Sequence, residues 1–498
     1  MINITQKHET KQQNSAVVGI DADAIRAEFE MLAKQNTPDA DGFVSEDVED
    51  FLANAPLTDT GNAECFAAEF GNLYRHNKTN DTWLRWNGVI WEADKAGQID
   101  DDILSSIRHR QIVTLHAGNV QHTEKAKNLN YLLRCEDVRG RKNVKQAAQW
   151  LPKFATHIDQ YDSKEYLAST LNGTIDLRDG KFYEAKRSDY ITLQLGANYE
   201  PTATCPRWEQ FLKEIFDGDA ELIRFMQKVV GYSLTGEMSE QKMFIAFGFG
   251  KNGKSEFVNV IQALSGDYGA RASFKTFDAD KQSEQTNDLA ALKGKRFVSM
   301  IETGGDKKLN EPLVKEITGG DEITCRFLHR EFFSYFPQFK LFLATNHKPV
   351  ITHSDFAIWR RIVLIPFTQN FEGREEEGLK QKLKSELPGI LNWALDGLKL
   401  WQSEGLKPLP KAVTEATEKY KKDSDSIGQW LELRATPKTA ASVQSSVAYN
   451  DYKDWTTENG LYPLGNRAFK ASLEERGFFT ARKIEAVFWF GFELKSRF

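Results

Sequence analysis

The sequence MFIAFGFGKNGKS, residues 243–255, joins an apolar run to a glycine-rich segment. The apolar residues 243–247 predict a buried strand, and FVNVI at residues 257–261 predicts the first turns of a helix. Between them, GFGKNGKS at residues 248–255 matches the pattern G-x-x-x-x-G-K-[ST]. Strand, glycine loop and helix in this order form the context in which that pattern binds phosphate groups. The sequence therefore predicts a nucleotide-binding site in an α/β domain.

The residue types of this loop have separate expected contributions. Glycine at positions 248, 250 and 253 permits positive φ and turns backbone N–H groups toward an anion. Lys254 is expected to reach the β- and γ-phosphates, and the Ser255 hydroxyl to hold Mg²⁺. A chance match in a glycine-rich turn is the alternative. The candidate nucleotide-binding residues are Gly248, Gly250, Asn252, Gly253, Lys254 and Ser255.

The composition excludes several classes of protein. Of the 498 residues, 40% are hydrophobic and 27% charged, as in ordinary globular proteins. The formal net charge is −6, so any nucleic-acid contact must come from a local basic patch. No apolar run approaches ~18 residues, so no membrane contact is expected. The cysteines are far apart and include no C-x-x-C pair, which argues against a zinc ribbon and a disulfide framework.

Upstream of the loop, three segments differ in composition and in the spacing of their apolar residues. Residues 1–55 are polar and acid-rich and are predicted to be mostly disordered with some helix. The segment WLRWNGVIW, residues 83–91, predicts two short strands around an Asn-Gly turn. Its tryptophans either stack on bases or, as we favour, fill the core of a small sheet. Residues 101–150 have helical periodicity and many basic side chains, for which a solvated surface is favoured over a nucleic-acid collar.

Three further segments place polar side chains at the ends of predicted strands. Glu302 follows the apolar run 297–301, where a carboxylate can lie beside Mg²⁺ and an attacking water. Asn346 follows KLFLAT and can hydrogen-bond a γ-phosphate. Arg360 and Arg361 precede another buried strand and carry the charge that a phosphoryl transition state needs. Ordinary strand ends and a surface arginine pair are the alternatives.

The remaining motifs concern nucleic acid. The segment from 313 to 346 predicts a glycine turn and a β-hairpin with Arg326, His329 and Arg330 at or near its tip. Residues 436–446 are rich in Ser and Thr and predict a linker. The tail beyond it predicts helix, helix and a strand pair, an order typical of a winged helix, which binds either DNA or protein.

The segment from about residue 171 to 367 resembles the phage/plasmid primase–helicase family, superfamily 3 helicases of the AAA+ class related to a poxvirus NTPase. The motifs that carry the resemblance are LNGTIDLRDG, CPRWEQFLKEIF, GFGKNGKS, LNEPLVKEITGGDEITCRFLHRE, FKLFLATNHKP and AIWRRIVLIPF. Larger relatives carry an N-terminal primase domain. No convincing metal-binding acid cluster precedes the helicase segment here, so we predict no primer synthesis.

The resemblance implies roles for the residues that match the family motifs. Lys254 and Ser255 fall on the ATP-phosphate and Mg²⁺ positions, and Glu302 falls on the acid of the Walker B motif. Many members have paired acids there, whereas Ile301 precedes Glu302 here, so whether Glu302 serves metal, water or both stays open. Asn346 falls on the position called sensor 1, and Arg361 or its neighbour Arg360 falls on the arginine finger. The DNA-binding hairpin contains Arg326, His329 and Arg330, and Lys315 lies in the motif before it.

The expected fold is α/β, an AAA+ P-loop core with a parallel sheet. A small mixed α/β and helical module precedes the core, and a winged-helix-like domain follows it. The expected domains are 1–55, a mostly disordered or helical segment; 56–205, a mixed N-terminal domain; 206–405, the ATPase with a helical lead-in; and 406–498, the winged-helix-like domain.

The resemblance implies an ATP-dependent replicative DNA helicase of a phage, prophage or plasmid-like element, in the cytoplasm of a bacterial host. Its ring, usually hexameric, translocates on single-stranded DNA, in the 3′ to 5′ direction, and unwinds forked DNA beside a separate primase or polymerase. A helicase loader or protein remodeller of the AAA+ class shares every ATPase motif and is the alternative. An RNA helicase differs only in its substrate.

Overall fold

A computed structural model describes residues 45–116, 121–280, 285–301, 307–329, 331–351, 356–483 and 486–495. The described residues form two compact units, one within residues 45–86 and 92–157 and one within residues 87–91 and 158–495. Most of the predicted segment 1–55 lies outside the described residues. The predicted domain bounds at 55, 205 and 405 stay predictions.

The first unit contains helices and a small mixed sheet with the strand order β3-β2-β1-β4. Its helices are α1 (Ser45–Asn54), α2 (Asp59–Phe70), α3 (Gln98–His116), α4 (His122–Cys135) and α5 (Val138–Ala148). Its strands are β1 (Tyr74–Asn77), β2 (Thr82–Trp86), β3 (Trp91–Ala93) and β4 (Ala155–Thr156). The predicted helical stretch and hairpin are confirmed.

Burial decides between the two interpretations of this region. Trp83, Trp86 and Trp91 are at most 7% exposed, so the tryptophans fill a core and offer no open stacking surface. Arg110, one of the basic residues of the helical stretch, is also buried and donates to the Asn62 side-chain oxygen at 2.6 Å. The structural interpretation of the tryptophans is therefore confirmed.

The second unit begins with a three-stranded antiparallel meander and two helices. The meander consists of β5 (Leu167–Thr170), β6 (Gly173–Asp176) and β7 (Lys181–Tyr183), and the helices are α6 (Pro206–Ile215) and α7 (Ala220–Ser233). The buried guanidinium of Arg296 donates to the carbonyl oxygens of Leu167 and Leu234 at 2.6 and 2.7 Å. These bonds fasten the meander and α7 to the start of a central strand.

A five-stranded parallel sheet, in the order β14-β8-β13-β10-β9, forms the centre of this unit. Its strands are β8 (Met243–Phe247), β9 (Gly269–Ser273), β10 (Phe297–Ile301), β13 (Lys340–Thr345) and β14 (Ile362–Pro366). Strand β13 lies between β8 and β10, with Thr345 paired to Phe247 and Ala344 to Ile301. The carboxyl ends of these three strands therefore meet at one edge of the sheet.

Both faces of the parallel sheet are covered, which explains why its strands are almost continuously apolar. Successive side chains point to opposite faces. Phe244 and Phe342 accordingly belong to one core cluster, whereas Ile245 and Leu343 belong to the other. The elements around the sheet are α8 (Lys254–Ser265), α9 (Gln285–Ala290), α10 (Glu311–Gly319), β11 (Ile323–Cys325), β12 (Phe333–Tyr335), α11 (Phe356–Trp359), α12 (Leu379–Ser385) and α13 (Leu387–Glu404).

After its first helix, the tail has the helix–strand–helix–helix–strand–strand order of a winged helix. Its elements are α14 (Lys411–Ser424), α15 (Ser426–Arg434), β15 (Ala435–Gln444), α16 (Ser445–Glu458), α17 (Asn466–Glu475), β16 (Phe479–Lys483) and β17 (Ala486–Leu494). The predicted linker at 436–446 is wrong, because most of it forms strand β15 paired with β17. Strand β15 is an exposed edge strand, so burial imposes no apolar alternation on it.

Candidate nucleotide-binding site

The predicted glycine loop connects β8 to α8 at the carboxyl edge of the parallel sheet. Gly250, Lys251 and Gly253 have positive φ values of 21°, 49° and 80°. Gly248 does not, so the prediction for that residue is wrong. Glycine is needed at 248 for close approach instead: a Cβ there would lie 2.2 Å from Asn252 Nδ2 and 2.3 Å from the Phe367 carbonyl oxygen.

The backbone of the loop is prepared to receive an anion. The structure records no acceptor, within the part of the chain that it describes, for the N–H groups of Phe249, Gly250, Lys251, Asn252 and Gly253. Successive N–H groups in a loop with positive φ values, followed by a helix N-terminus, form a concavity of positive potential. Such a loop fits a phosphate group, whose oxygens would accept these hydrogen bonds.

Lys254 is buried beneath the loop, with 5% of its surface exposed. Its ammonium donates to the Gly248 carbonyl oxygen at 2.9 Å, the Thr345 carbonyl oxygen at 2.8 Å and Asn346 Oδ1 at 2.7 Å. All three acceptors are uncharged, and burial lowers the pKa of Lys254 to about 8. A buried cation held only by dipoles gains more from an incoming anion than one already neutralised by a carboxylate.

Asn346 and Asn252 both form hydrogen bonds with Lys254, but Asn346 is exposed to solvent and Asn252 is buried. Asn346 is exposed and directly follows β13, so its contact with Lys254 joins two residues that the sequence predicted separately. Asn252 is 3% exposed. Its amide nitrogen donates to the Phe367 carbonyl oxygen at 3.2 Å, and its oxygen accepts from the Lys254 N–H at 3.3 Å. Asn252 therefore fastens the loop to the end of β14.

The predicted metal-binding residues are only partly described. Ser255 is exposed in the first turn of α8, where its hydroxyl can reach a cation beside a bound phosphate. Glu302 lies outside the described residues, and its roles stay predictions. Strand β10 ends at the preceding residue, Ile301, beside Ala344 of β13. Among the described residues, no cluster of three His, Cys, Asp or Glu side chains forms a preassembled metal site.

The two candidate finger arginines have opposite environments. Arg361 is 7% exposed, and its guanidinium donates to Thr318 Oγ1 at 3.0 Å and to the Ala357 carbonyl oxygen at 2.6 Å. Arg360 is exposed, and its guanidinium has no recorded partner in the described part of the chain. Of the two residues, Arg360 can extend toward another molecule.

The predicted hairpin consists of β11 and β12, in which Ile323 pairs with Tyr335. Arg326 is exposed at its end, with the guanidinium 4.6 Å from the centre of the Phe332 ring. His329 is exposed and has a positive φ of 61°. Lys315 is half-buried on α10, and Arg330 lies outside the described residues. The structure thus places Arg326 and His329 together on one projecting loop.

Sequence reasoning missed two features near these sites. Lys251 of the glycine loop forms ion pairs with Glu372 at 3.1 Å and Glu375 at 3.2 Å. The acid-rich run after β14 was the available signal for this contact. The hairpin also exposes Leu328 and Phe332, which are 72% and 58% accessible. Apolar residues in a turn that carries basic side chains could have indicated this surface.

The fold and the loop define an α/β protein with a five-stranded parallel sheet, a glycine loop that fits phosphate and a winged-helix-like tail. Residues 63–217 match the family model described as "D5 N terminal like". The protein named "Putative helicase L207/L206" of Acanthamoeba polyphaga mimivirus is 27% identical over 424 residues, 76% of this chain and 43% of the viral protein. The resemblance to the primase–helicase family is confirmed by this family match and by the helicase and primase names of the viral relatives.

Two further viral relatives align over shorter stretches. "Putative helicase 022R" of Frog virus 3 is 28% identical over 262 residues, 47% of this chain and 26% of that protein. "Putative primase C962R" of African swine fever virus is 20% identical over 352 residues, 64% of this chain and 36% of that protein. The chain thus spans less than half the length of these curated relatives.

Among solved structures, the apo NrS-1 C-terminal region aligns with 84% of this chain and 95% of that chain, with a TM-score of 0.46 and 13% identity. Among the described residues, no helix is long and apolar enough to cross a bilayer.

Proposed function

We propose that this chain is an ATP-driven replicative DNA helicase that works as a ring. The observation that carries the proposal is the position of Lys254. It is buried under a loop whose N–H groups have no acceptor among the described residues, and it donates to Asn346 at the end of the neighbouring strand. This arrangement fits the terminal phosphates of a nucleoside triphosphate. The viral relatives named as helicases support DNA unwinding as the work that hydrolysis drives.

In the proposed reaction a water attacks the γ-phosphorus in line with the departing ADP oxygen. Lys254 exchanges its carbonyl acceptors for phosphate oxygens, and its charge stabilises the transition state. Asn346, released from Lys254, is then free to orient the water or a γ-phosphate oxygen. Ser255 and Glu302 are the residues that would hold Mg²⁺, which would offset negative charge on the phosphate oxygens.

The arginine finger in this proposal is Arg360, supplied by a neighbouring subunit. Its exposed guanidinium is available for a second molecule, whereas that of Arg361 is committed to Thr318 and Ala357. Hydrolysis would then depend on assembly of the ring. The resemblance alone predicts the remaining properties. These are hexameric assembly, 3′ to 5′ polarity, forked-DNA substrates, separate primase or polymerase partners, the phage or plasmid context and the bacterial cytoplasm.

Single-stranded DNA is proposed to contact the hairpin between β11 and β12. Arg326 and His329 supply donors for the phosphate backbone, and the exposed Phe332 supplies a ring against which bases or sugars can pack. Arg330 and Lys315 are the other predicted members of this surface. Contacts of this kind make binding weaker at high salt, because each phosphate contact releases counterions.

Hydrolysis measured with and without single-stranded DNA tests the proposal. We expect DNA to stimulate turnover in the wild type, and expect Lys254→Ala to abolish both the basal and the stimulated rates. Arg326→Ala is the matched variant on the hairpin and should keep basal hydrolysis while losing most of the stimulation. Turnover indifferent to DNA would contradict the helicase proposal and favour an AAA+ loader or remodeller.

A further inference from the structure

One face of the C-terminal sheet, in the order β15-β17-β16, packs on the core of the tail. Trp489 and Phe492 of β17 are fully buried and pack with Trp430 of α15 and Phe469 of α17. Neighbouring residues of a strand point to opposite faces. Gly491, with a φ of 105°, interrupts this alternation between Trp489 and Phe492. Before it, in residues 486–490, the side chains that alternate with Trp489 lie on the outer face, away from this core.

The register of the strands shows which residues share the outer face. Phe490 and Phe488 of β17 flank Trp489, and they pair with Phe479 and Ala481 of β16. The rings of Phe479 and Phe490 stack with their centres 5.2 Å apart and their planes 2° from parallel. Phe479 is 60% exposed. Two parallel rings are thus held on an open surface.

The stack of rings ends at Phe479, because β16 is an edge strand. The pair with Phe490 accounts for one face of the Phe479 ring. The structure records no other aromatic partner for that ring within the described residues. A planar group placed against the remaining face would continue an aromatic stack that the sheet has already ordered.

A cation lies on the same face. The ammonium of Lys483 is 4.7 Å from the centre of the Phe490 ring and 5.2 Å from that of Phe488, and it donates to Ser442 Oγ at 2.9 Å. Around the ring pair, the described outer side chains include no acid: Ser442, Gln444, Phe479, Ala481, Lys483, Ala486, Phe488 and Phe490. Glu493, which follows the buried Phe492 and therefore points outward, forms an ion pair with Lys438 at 2.8 Å. The local charge is therefore positive on a chain whose net charge is −6.

We propose that this outer face, the Phe479–Lys483 face, binds single-stranded DNA. An unpaired base stacks on Phe479, and the phosphate beside it approaches Lys483. Duplex DNA keeps its bases stacked inside the helix, so the same face discriminates in favour of single strands. The proposal takes DNA as the ligand from the proposed function, but it needs neither nucleotide binding nor the hairpin.

Fluorescence anisotropy of a labelled oligothymidine, titrated with the full chain in the absence of nucleotide, tests the proposal. We expect Phe479→Ala to raise Kd about tenfold, the effect of losing roughly 1.4 kcal/mol of base stacking. Phe479→Trp keeps a ring at the edge and should bind within about twofold of the wild type. Tyr462→Ala is the matched control, because Tyr462 is 67% exposed in the same tail but outside the sheet.

Four further measurements distinguish this proposal from its alternatives. Lys483→Ala should weaken binding and reduce its dependence on salt, whereas binding of a blunt duplex should not respond to Phe479→Ala. Wild-type affinity for oligothymidine in Phe479→Ala would overturn the proposal, and loss of self-association in sedimentation would instead assign the face to a second copy of the chain. Lys254→Ala should bind oligothymidine normally, so failure of DNA-stimulated hydrolysis and failure of this face are separate results.

Discussion

Nucleotide affinity should fall as the pH rises through about 8, the pKa of the buried Lys254 amine in the free protein. Burial disfavours the ammonium, and its three acceptors are uncharged oxygens. The folded, nucleotide-free protein therefore releases this proton more easily than an exposed lysine does. A bound phosphate favours the ammonium form of Lys254. At a pH above the pKa of the free protein, the amine must therefore take up a proton when the nucleotide binds, and this weakens binding. The direction is thus weaker binding at higher pH.

The size of the effect follows from the protonated fraction. With a pKa of about 8, the ammonium form falls from roughly 90% at pH 7 to roughly 10% at pH 9, so Kd should rise about tenfold. The assay is a titration with a non-hydrolysable ATP analogue at several pH values. Lys254→Arg keeps its charge across this range and should give a flat profile, whatever its absolute affinity. A flat wild-type profile, or the same slope in Lys254→Arg, would refute the reasoning.

Three substitutions test the other contacts of the site: a matched pair at the neighbouring arginines 360 and 361, and one at glycine 248. Arg360→Ala should bind nucleotide and fold normally but lose most hydrolysis in a direct turnover assay. Arg361→Ala should lower the free energy of unfolding by roughly 2 kcal/mol, because the buried Thr318 hydroxyl and the partly buried Ala357 carbonyl lose their donor. Normal hydrolysis by Arg360→Ala would remove the finger assignment. Gly248→Ala should weaken nucleotide binding roughly five- to 150-fold by calorimetry, because its methyl group collides with Asn252 and costs roughly 1–3 kcal/mol of overpacking. Wild-type affinity in that variant would show that the loop tolerates the shift.

Much of the parallel-sheet unit was predictable because local and long-range signals agree there. The apolar runs of β8, β10, β13 and β14 reflect burial on both faces, and the polar residues Glu302 and Asn346 directly follow β10 and β13 in the sequence. The contact of Asn346 with Lys254 was not predictable in detail. It depends on β13 lying beside β8, and strand order is a tertiary property that a linear pattern does not encode.

The errors have equally specific causes. The sequence of strand β15 predicts a linker because an exposed edge strand has no apolar face to impose alternation. Gly248 was assigned positive φ from its residue type, but what demands glycine is the neighbouring Phe367 carbonyl, which belongs to a distant segment. Arg360 and Arg361 look equivalent in sequence, and their different burial depends on α10 and on the turn before β14.

Strand displacement on a forked DNA substrate tests the central claim most directly. The wild type should release the labelled strand only when ATP is hydrolysed, and Lys254→Ala should release none at the same protein concentration. Forks with a single 3′ or a single 5′ tail report polarity in the same experiment. Displacement that requires ATP and Lys254 is the result that the helicase account predicts. Active hydrolysis with no displacement from any fork would contradict it.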